Sequence, residues 1–161
     1  MLTTSFFSAE QIVAARDKER ARREAVGLVD SVQDRQGEKP EVSTLQGKWL
    51  EINWKYKHKE THEPILIWCA GQVVKVADGV NDMSSNRQNA TVLTSNTVLI
   101  RWEADAEFEE EEQQAWFVLQ PKKWNGDVQN SWRLDPRHIP AIGGVAAATE
   151  QPPSGAPRRA R

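Results

Sequence analysis

Leu50-Glu51-Ile52-Asn53-Trp54-Lys55-Tyr56-Lys57 alternates apolar and polar side chains at every step. Alternation over roughly four to eight residues is the pattern of a half-buried β-strand. It turns Leu50, Ile52, Trp54 and Tyr56 inward. Downstream, Ile65 to Ala77 is rich in β-branched residues and reads as a second strand. Gly71 inside it marks a bulge or sharp bend, and Asp78-Gly79 after it is a turn signal. Val98-Leu99-Ile100-Arg101-Trp102 alternates again, as a third strand. Ala115 to Leu119 is a fourth and ends before Pro121. Ser131-Trp132-Arg133-Leu134 is a short fifth, before Pro136. No helical period separates these segments. The pattern predicts a mainly β fold, a small five-stranded barrel, with Leu50, Ile52, Val73, Val98 and Ile100 in its core.

The aromatics set the boundaries of that barrel. The seven Trp, at 49, 54, 68, 102, 116, 124 and 132, all fall within one 84-residue window. A small domain needs such rings to fill its core. The predicted domain therefore spans 44–136, with a helical arm and linker over 1–43 and a disordered basic tail over 137–161. Net charge follows the same division: −1 over residues 1–44, −4 over 45–135 and +3 over 136–161. Small residues, Gly, Pro and Arg dominate the tail, which lacks the apolar surface to order itself. Two connections, Asp78–Asn96 and Glu103–Gln114, are too long for plain hairpins. The second is acidic, with Glu107-Phe108-Glu109-Glu110-Glu111-Glu112 at its centre. Loops beyond about 12–15 residues are commonly functional or disordered.

In the arm, Ser8-Ala9-Glu10-Gln11 is a capping box, and Phe7 and Ile12 occupy hydrophobic-staple positions. Arg16 to Glu24 is charged on all sides, and an apolar stripe returns at Ala25, Leu28, Val29 and Val32. This predicts a helix from Ser8 to Asp34, joining the domain to something else.

Trp68-Cys69-Ala70-Gly71-Gln72-Val73 resembles the W-[YF]-x-[AG]-x-V strand of Tudor and Agenet domains. Val98-Leu99-Ile100-Arg101-Trp102-Glu103 resembles their next strand, and Trp116 with Leu119 their closing segment. The resemblance covers about Leu45–Pro121. Trp124-Asn125 through Leu134 lies outside it; together with Ile67-Trp68-Cys69 that ending looks like uncharacterised algal proteins, some associated with mobile elements. A Tudor-like assignment implies an SH3-like barrel that binds a peptide, often through an aromatic cage for methylated Lys or Arg. Methylation keeps the charge and makes the head bulkier, so ring faces attract it through their quadrupole. On this resemblance Trp54 and Trp102 match cage walls. Two further cage positions carry Cys69 and Asp105 instead of rings. Tyr56 and Trp68 are adjacent substitutes, and Glu103 and Asp105 are acidic partners at the rim.

The candidate binding set is thus Trp54, Tyr56, Trp68, Trp102, Glu103 and Asp105, and the expected partner is a basic or histone-like protein segment. Chemistry is not expected. His58, His62 and Cys69 leave a tetrahedral metal site one ligand short. No Gly-rich phosphate loop follows a strand, and Cys69 lies mid-strand without a flanking motif, as a structural thiol does. The sequence therefore predicts no enzyme, metal or cofactor. Two other functions fit: an assembly subunit whose helical arm and exposed Trp contact another protein, and an SH3-like nucleic-acid binder. The last needs Lys48, Lys55, Lys57, Lys59, Lys122 and Lys123 on one face, and the net charge of −4 disfavours it. No apolar run approaches a bilayer span and no secretory leader is evident. The single cysteine excludes a disulfide framework. These features predict an intracellular protein, and the Tudor-like resemblance implies a nuclear one.

Overall fold

All five predicted strands are present in the computed structural model of the protein, which describes residues 6–28, 32–84, 90–103 and 111–139. In chain order the elements are β1 (Phe6–Phe7), α1 (Ala9–Glu24), β2 (Trp49–His58), β3 (Pro64–Val76), β4 (Thr97–Trp102), β5 (Gln113–Val118) and β6 (Trp132–Leu134). They form one six-stranded mixed sheet. β2 to β5 are an antiparallel meander, and β6 returns to pair antiparallel with β2. β1, too short to show alternation, adds in parallel at the far end of β2, with Phe6 opposite Lys57. Among the described residues no ladder joins β5 to β6, so the sheet is not closed.

The core follows the alternation. Leu50, Ile52, Val73, Val98 and Ile100 are all fully buried, together with Leu119 and Trp132. The irregularity in β3 falls after Val73, and Gly71 stays in regular register with Leu50. The register with β4 shifts between Val73 and Lys75, the local irregularity that curves a sheet. Gly71, one turn of the pleat earlier, lies beneath Ile100 and Trp102. A Cβ at that position would stand 2.5 Å from Ile100 Cγ2 and 2.8 Å from Trp102 Cε3. The glycine is thus required by close approach of β4. Gly71→Ala should cost about 1–3 kcal/mol as an overpacked core, read as a lower urea midpoint; a loss below about 0.5 kcal/mol would mean that β3 yields freely there. The turn after β3 forms as the Asp78-Gly79 pair predicts, with Gly79 at φ 78°. The Asp78 carboxylate accepts the backbone amides of Val80 and Asn81, which hold it at about pKa 2.

The N-terminal segment departs from its prediction in length and in role. The Ser8 capping box forms, with Ser8 and Gln11 each bonding the other's backbone amide. The helix then stops at Glu24 instead of Asp34. Gly27, at φ 77°, donates to Glu24 O, and Leu28 donates to Arg23 O. This is the left-handed glycine ending that satisfies the last carbonyls of a helix. Nor is the segment a free arm. Phe7 and Ala15 bury against Tyr56 and Ile67 in a second apolar cluster. Val32 is buried as well. Gln36 is buried and bonds Leu134 twice, accepting from its amide at 2.7 Å and donating to its carbonyl at 3.0 Å. After β6 the chain stays packed on the core: Asp135 caps a 3-10 turn over Pro136–His138, and Ile139 packs against the core. The rest of the predicted tail, residues 140–161, and the centre of the acidic loop, residues 104–110, lie outside the described residues.

Candidate functional site

Alternation along three strands converges on one aromatic cluster. Trp54 shares its side of β2 with Leu50 and Ile52, Trp102 ends β4 after Val98 and Ile100, and Phe117 stands opposite Val98 on β5. The Trp54 ring meets Trp102 edge-on at 5.7 Å between centroids, and Phe117 edge-on at 5.6 Å. Such tilted pairs are each worth about 0.5–1.5 kcal/mol beyond their buried area. Trp102 is buried, while Trp54 and Phe117 are half-buried. The indole nitrogens of Trp54 and Trp102 are both buried without a hydrogen-bond partner. A buried donor left unsatisfied costs about 1–3 kcal/mol, so the cluster retains unspent polar capacity beside its ring faces. Glu103 follows directly, exposed, 3.8 Å from Arg101 Nη1.

The other candidate residues lie apart from this wall. Tyr56 is buried, stacked at 4.2 Å on Phe7, with its hydroxyl 3.5 Å from Cys69 Sγ. Trp68 alternates to the opposite side of the sheet from Ile67, and the Arg133 guanidinium covers its ring at 3.7 Å. Asp105 lies outside the described residues. Of the six, the structure brings Trp54 and Trp102 together, with Glu103 next in sequence.

Arg133 belongs to a charged cluster that the sequence reading missed. Glu51, with a fully buried side chain, accepts from Arg133 Nε at 2.7 Å and from Arg22 Nε at 2.6 Å. Arg133 reaches on to Glu19 at 2.9 Å. Asp135 lies 3.9 Å from Arg22 and accepts from Arg137 at 3.0 Å. Glu19 and Arg22 share one stripe of α1 with Ile12 and Ala15, so a single helix face carries both the apolar and the ionic contact. This cluster fastens helix to sheet. Every charge in it already has a protein partner, which makes it structural rather than a vacant ligand site.

His138 sits at the end of this region. Its Nε2 is buried without a partner, and burial first, then the nearby Lys48, push its pKa below the usual histidine value. Arg137 acts in the same direction and Asp135 opposes it. The folded state therefore binds this proton less readily than the unfolded chain does. Stability should be unaffected above about pH 6.5 and fall as pH drops below that value, until the lowered folded pKa is reached. His138→Gln should flatten this slope in urea titrations between pH 7 and about 5; an unchanged slope would assign it to other groups.

Among the described residues no group of three or more His, Cys, Asp or Glu side chains is placed to hold a metal ion. No helix among them is long and apolar enough to cross a membrane. Comparison with protein-family models, curated proteins and solved structures found no match to this chain.

Proposed function

We propose that the protein is a non-enzymatic binding module of Tudor-like character, taking a basic protein segment, methylated or unmodified, such as a histone-like tail, at its aromatic wall. One observation carries this reading. Trp54 and Trp102, the residues that the Tudor and Agenet resemblance matches to cage walls, have rings in contact, with Phe117 as a third. Ring faces attract alkylated cations by about 0.5–2 kcal/mol per good contact, and the acidic stretch that begins at Glu103 attracts the rest of a basic segment. The course of the sheet supports the barrel that this reading needs. The register shift after Val73 curves the four-strand meander, and β6, beyond it in the chain, comes back to pair with β2. The assembly-subunit alternative loses part of its surface, since Ile12 and Ala15 of α1 are spent on the protein's own sheet.

The test is a screen of the full chain against methylated and unmethylated histone-tail peptides, with duplex DNA as a comparison. Trp54→Leu and Trp102→Leu keep apolar volume and remove the rings. Each should weaken the best peptide by about tenfold or more, and Glu103→Gln by less, because an exposed charge is screened. Folded Leu variants that bind like the wild type would refute the reading. Tight, salt-sensitive binding of duplex DNA would favour the nucleic-acid alternative.

A further inference from the structure

The two margins of the sheet are treated differently. The outer edge of β2 is filled twice, by β6 along Leu50–Ile52 and by β1 at Lys57–His58. Beside the stretch of β3 that β4 leaves unpaired, Arg22 of α1 donates to the Trp68 carbonyl at 3.2 Å. β5 closes the other end of the strand order, and among the described residues nothing pairs with its outer edge.

Two hydrogen bonds fix which groups that edge presents. The Leu119 amide donates to the Asn96 carbonyl, on the β4 side, at 2.8 Å. The Thr97 carbonyl, opposite Val118, turns the other way and accepts from Ala77 at 2.8 Å. Backbone direction alternates along an antiparallel ladder. Gln113, Ala115 and Phe117 therefore bond towards β4, and Gln114, Trp116 and Val118 direct their amides and carbonyls outward. Gln114 and Val118 are exposed and Trp116 is half-buried.

Proteins blunt such edges with lysine, proline, bulges or a covering loop. Gln113-Gln114-Ala115-Trp116-Phe117-Val118 carries no charge and no proline, and its register with β4 is unbroken. Charge is instead placed at one end. Glu111 and Glu112 precede the strand, and Glu103 follows Trp102, which pairs with Gln113. All three are exposed, and Arg101 is the one base among them, 3.8 Å from Glu103 and 3.4 Å from Glu112. That end of the edge favours a cationic neighbour. The aromatic wall is continuous with it, because Phe117 belongs to both.

We infer that the β5 edge receives an extended basic segment of a partner protein as an added strand. Main-chain bonds to Gln114, Trp116 and Val118 supply affinity, and alternate side chains beside Phe117 lie along the Trp54–Trp102–Phe117 wall. The inference rests on the binding-module reading and specifies the conformation in which the segment is held.

The probe is a labelled peptide of alternating Lys and Val, titrated against the full chain. Two further versions carry N-methyl groups on alternate amides, one in each phase. N-methylation in one phase removes the donors of a single strand edge. One phase should therefore lose binding by about tenfold or more, while the other keeps it. On the protein, Val118→Pro removes an outward amide and spares the β4 ladder; it should weaken the unmethylated probe by about threefold to tenfold. Gln114→Pro makes the same test at the other end should the first variant fail to fold. Equal effects of the two phases, unchanged binding to the folded proline variants, or no binding to the wild type would each overturn the inference. So would a concentration-dependent dimer abolished by Val118→Pro, which would assign the edge to a second copy, or tighter probe binding after removal of residues 140–161, which would assign it to the chain's own tail. If Trp54→Leu abolishes binding while both methylated phases bind alike, the aromatic wall stands and the added strand falls.

Discussion

Glu51→Ala is expected to destabilise the protein by about 3–5 kcal/mol, as removal of one member of a buried ion pair does. The carboxylate is fully buried between two guanidinium groups, at 2.7 Å from Arg133 and 2.6 Å from Arg22. Without it, Arg133 remains 3% exposed with only Glu19 for charge compensation and the Trp68 face beneath it. The loss measures an uncompensated charge and not the net worth of the pair. An apolar replacement of both partners of a buried pair is often close to neutral. The double variant Glu51→Met with Arg133→Met should therefore recover much of the loss. Urea unfolding of Glu51→Met, Arg133→Met and the double closes the cycle. A cost below about 1 kcal/mol for Glu51→Ala would mean that water reaches the site and solvates Arg133.

The same residue shows where sequence reading stops. Alternation placed Leu50 and Ile52 inward correctly, because one buried face of a strand imposes a period of two. It also turned Glu51 and Asn53 outward, towards solvent, yet both are buried. That face of β2 is covered too, and the buried partner of Glu51 arrives with β6, 82 residues later in the chain. No local pattern announces a partner at that separation. The signal that existed was Arg133 itself, a charge inside the short strand Ser131-Trp132-Arg133-Leu134, whose residues are all buried. The helix end was legible and was missed: Gly27 interrupts the apolar stripe at the position where a left-handed residue ends a helix. The aromatic wall was half legible. Strand phase put Trp54 and Trp102 on inward positions, but Phe117 enters through its register with Val98, which depends on the acidic connection between β4 and β5. On β3 it is Ile67 that faces Trp54, and Trp68, one step on, turns to the other face and lies under a guanidinium.

Trp132→Ala should produce a loss of about 3–5 kcal/mol, at the upper end for a large-to-small core change. The indole is fully buried, opposite Ile52 on β2 and edge-on to Trp124 at 4.8 Å. Its Nε1 donates to the Gln120 carbonyl at 2.9 Å, and its own carbonyl accepts from Asn125 at 2.8 Å. β6 has three residues, and Trp132 carries the largest of their buried apolar side chains. Trp132→Phe keeps a ring and loses the N–H, so it should cost less, about 0.5–1.5 kcal/mol for one hydrogen bond, because the Gln120 carbonyl still accepts from the Lys123 amide. The next residue is Arg133. A loosened β6 withdraws that guanidinium from Glu51, and the two losses then overlap. Trp132→Ala combined with Glu51→Ala should cost less than the sum of the singles by more than about 0.5 kcal/mol, the margin within which independent sites add. Strict additivity would mean that Arg133 keeps its place by its ionic contacts alone, and that β6 is held by its charges as firmly as by its tryptophan.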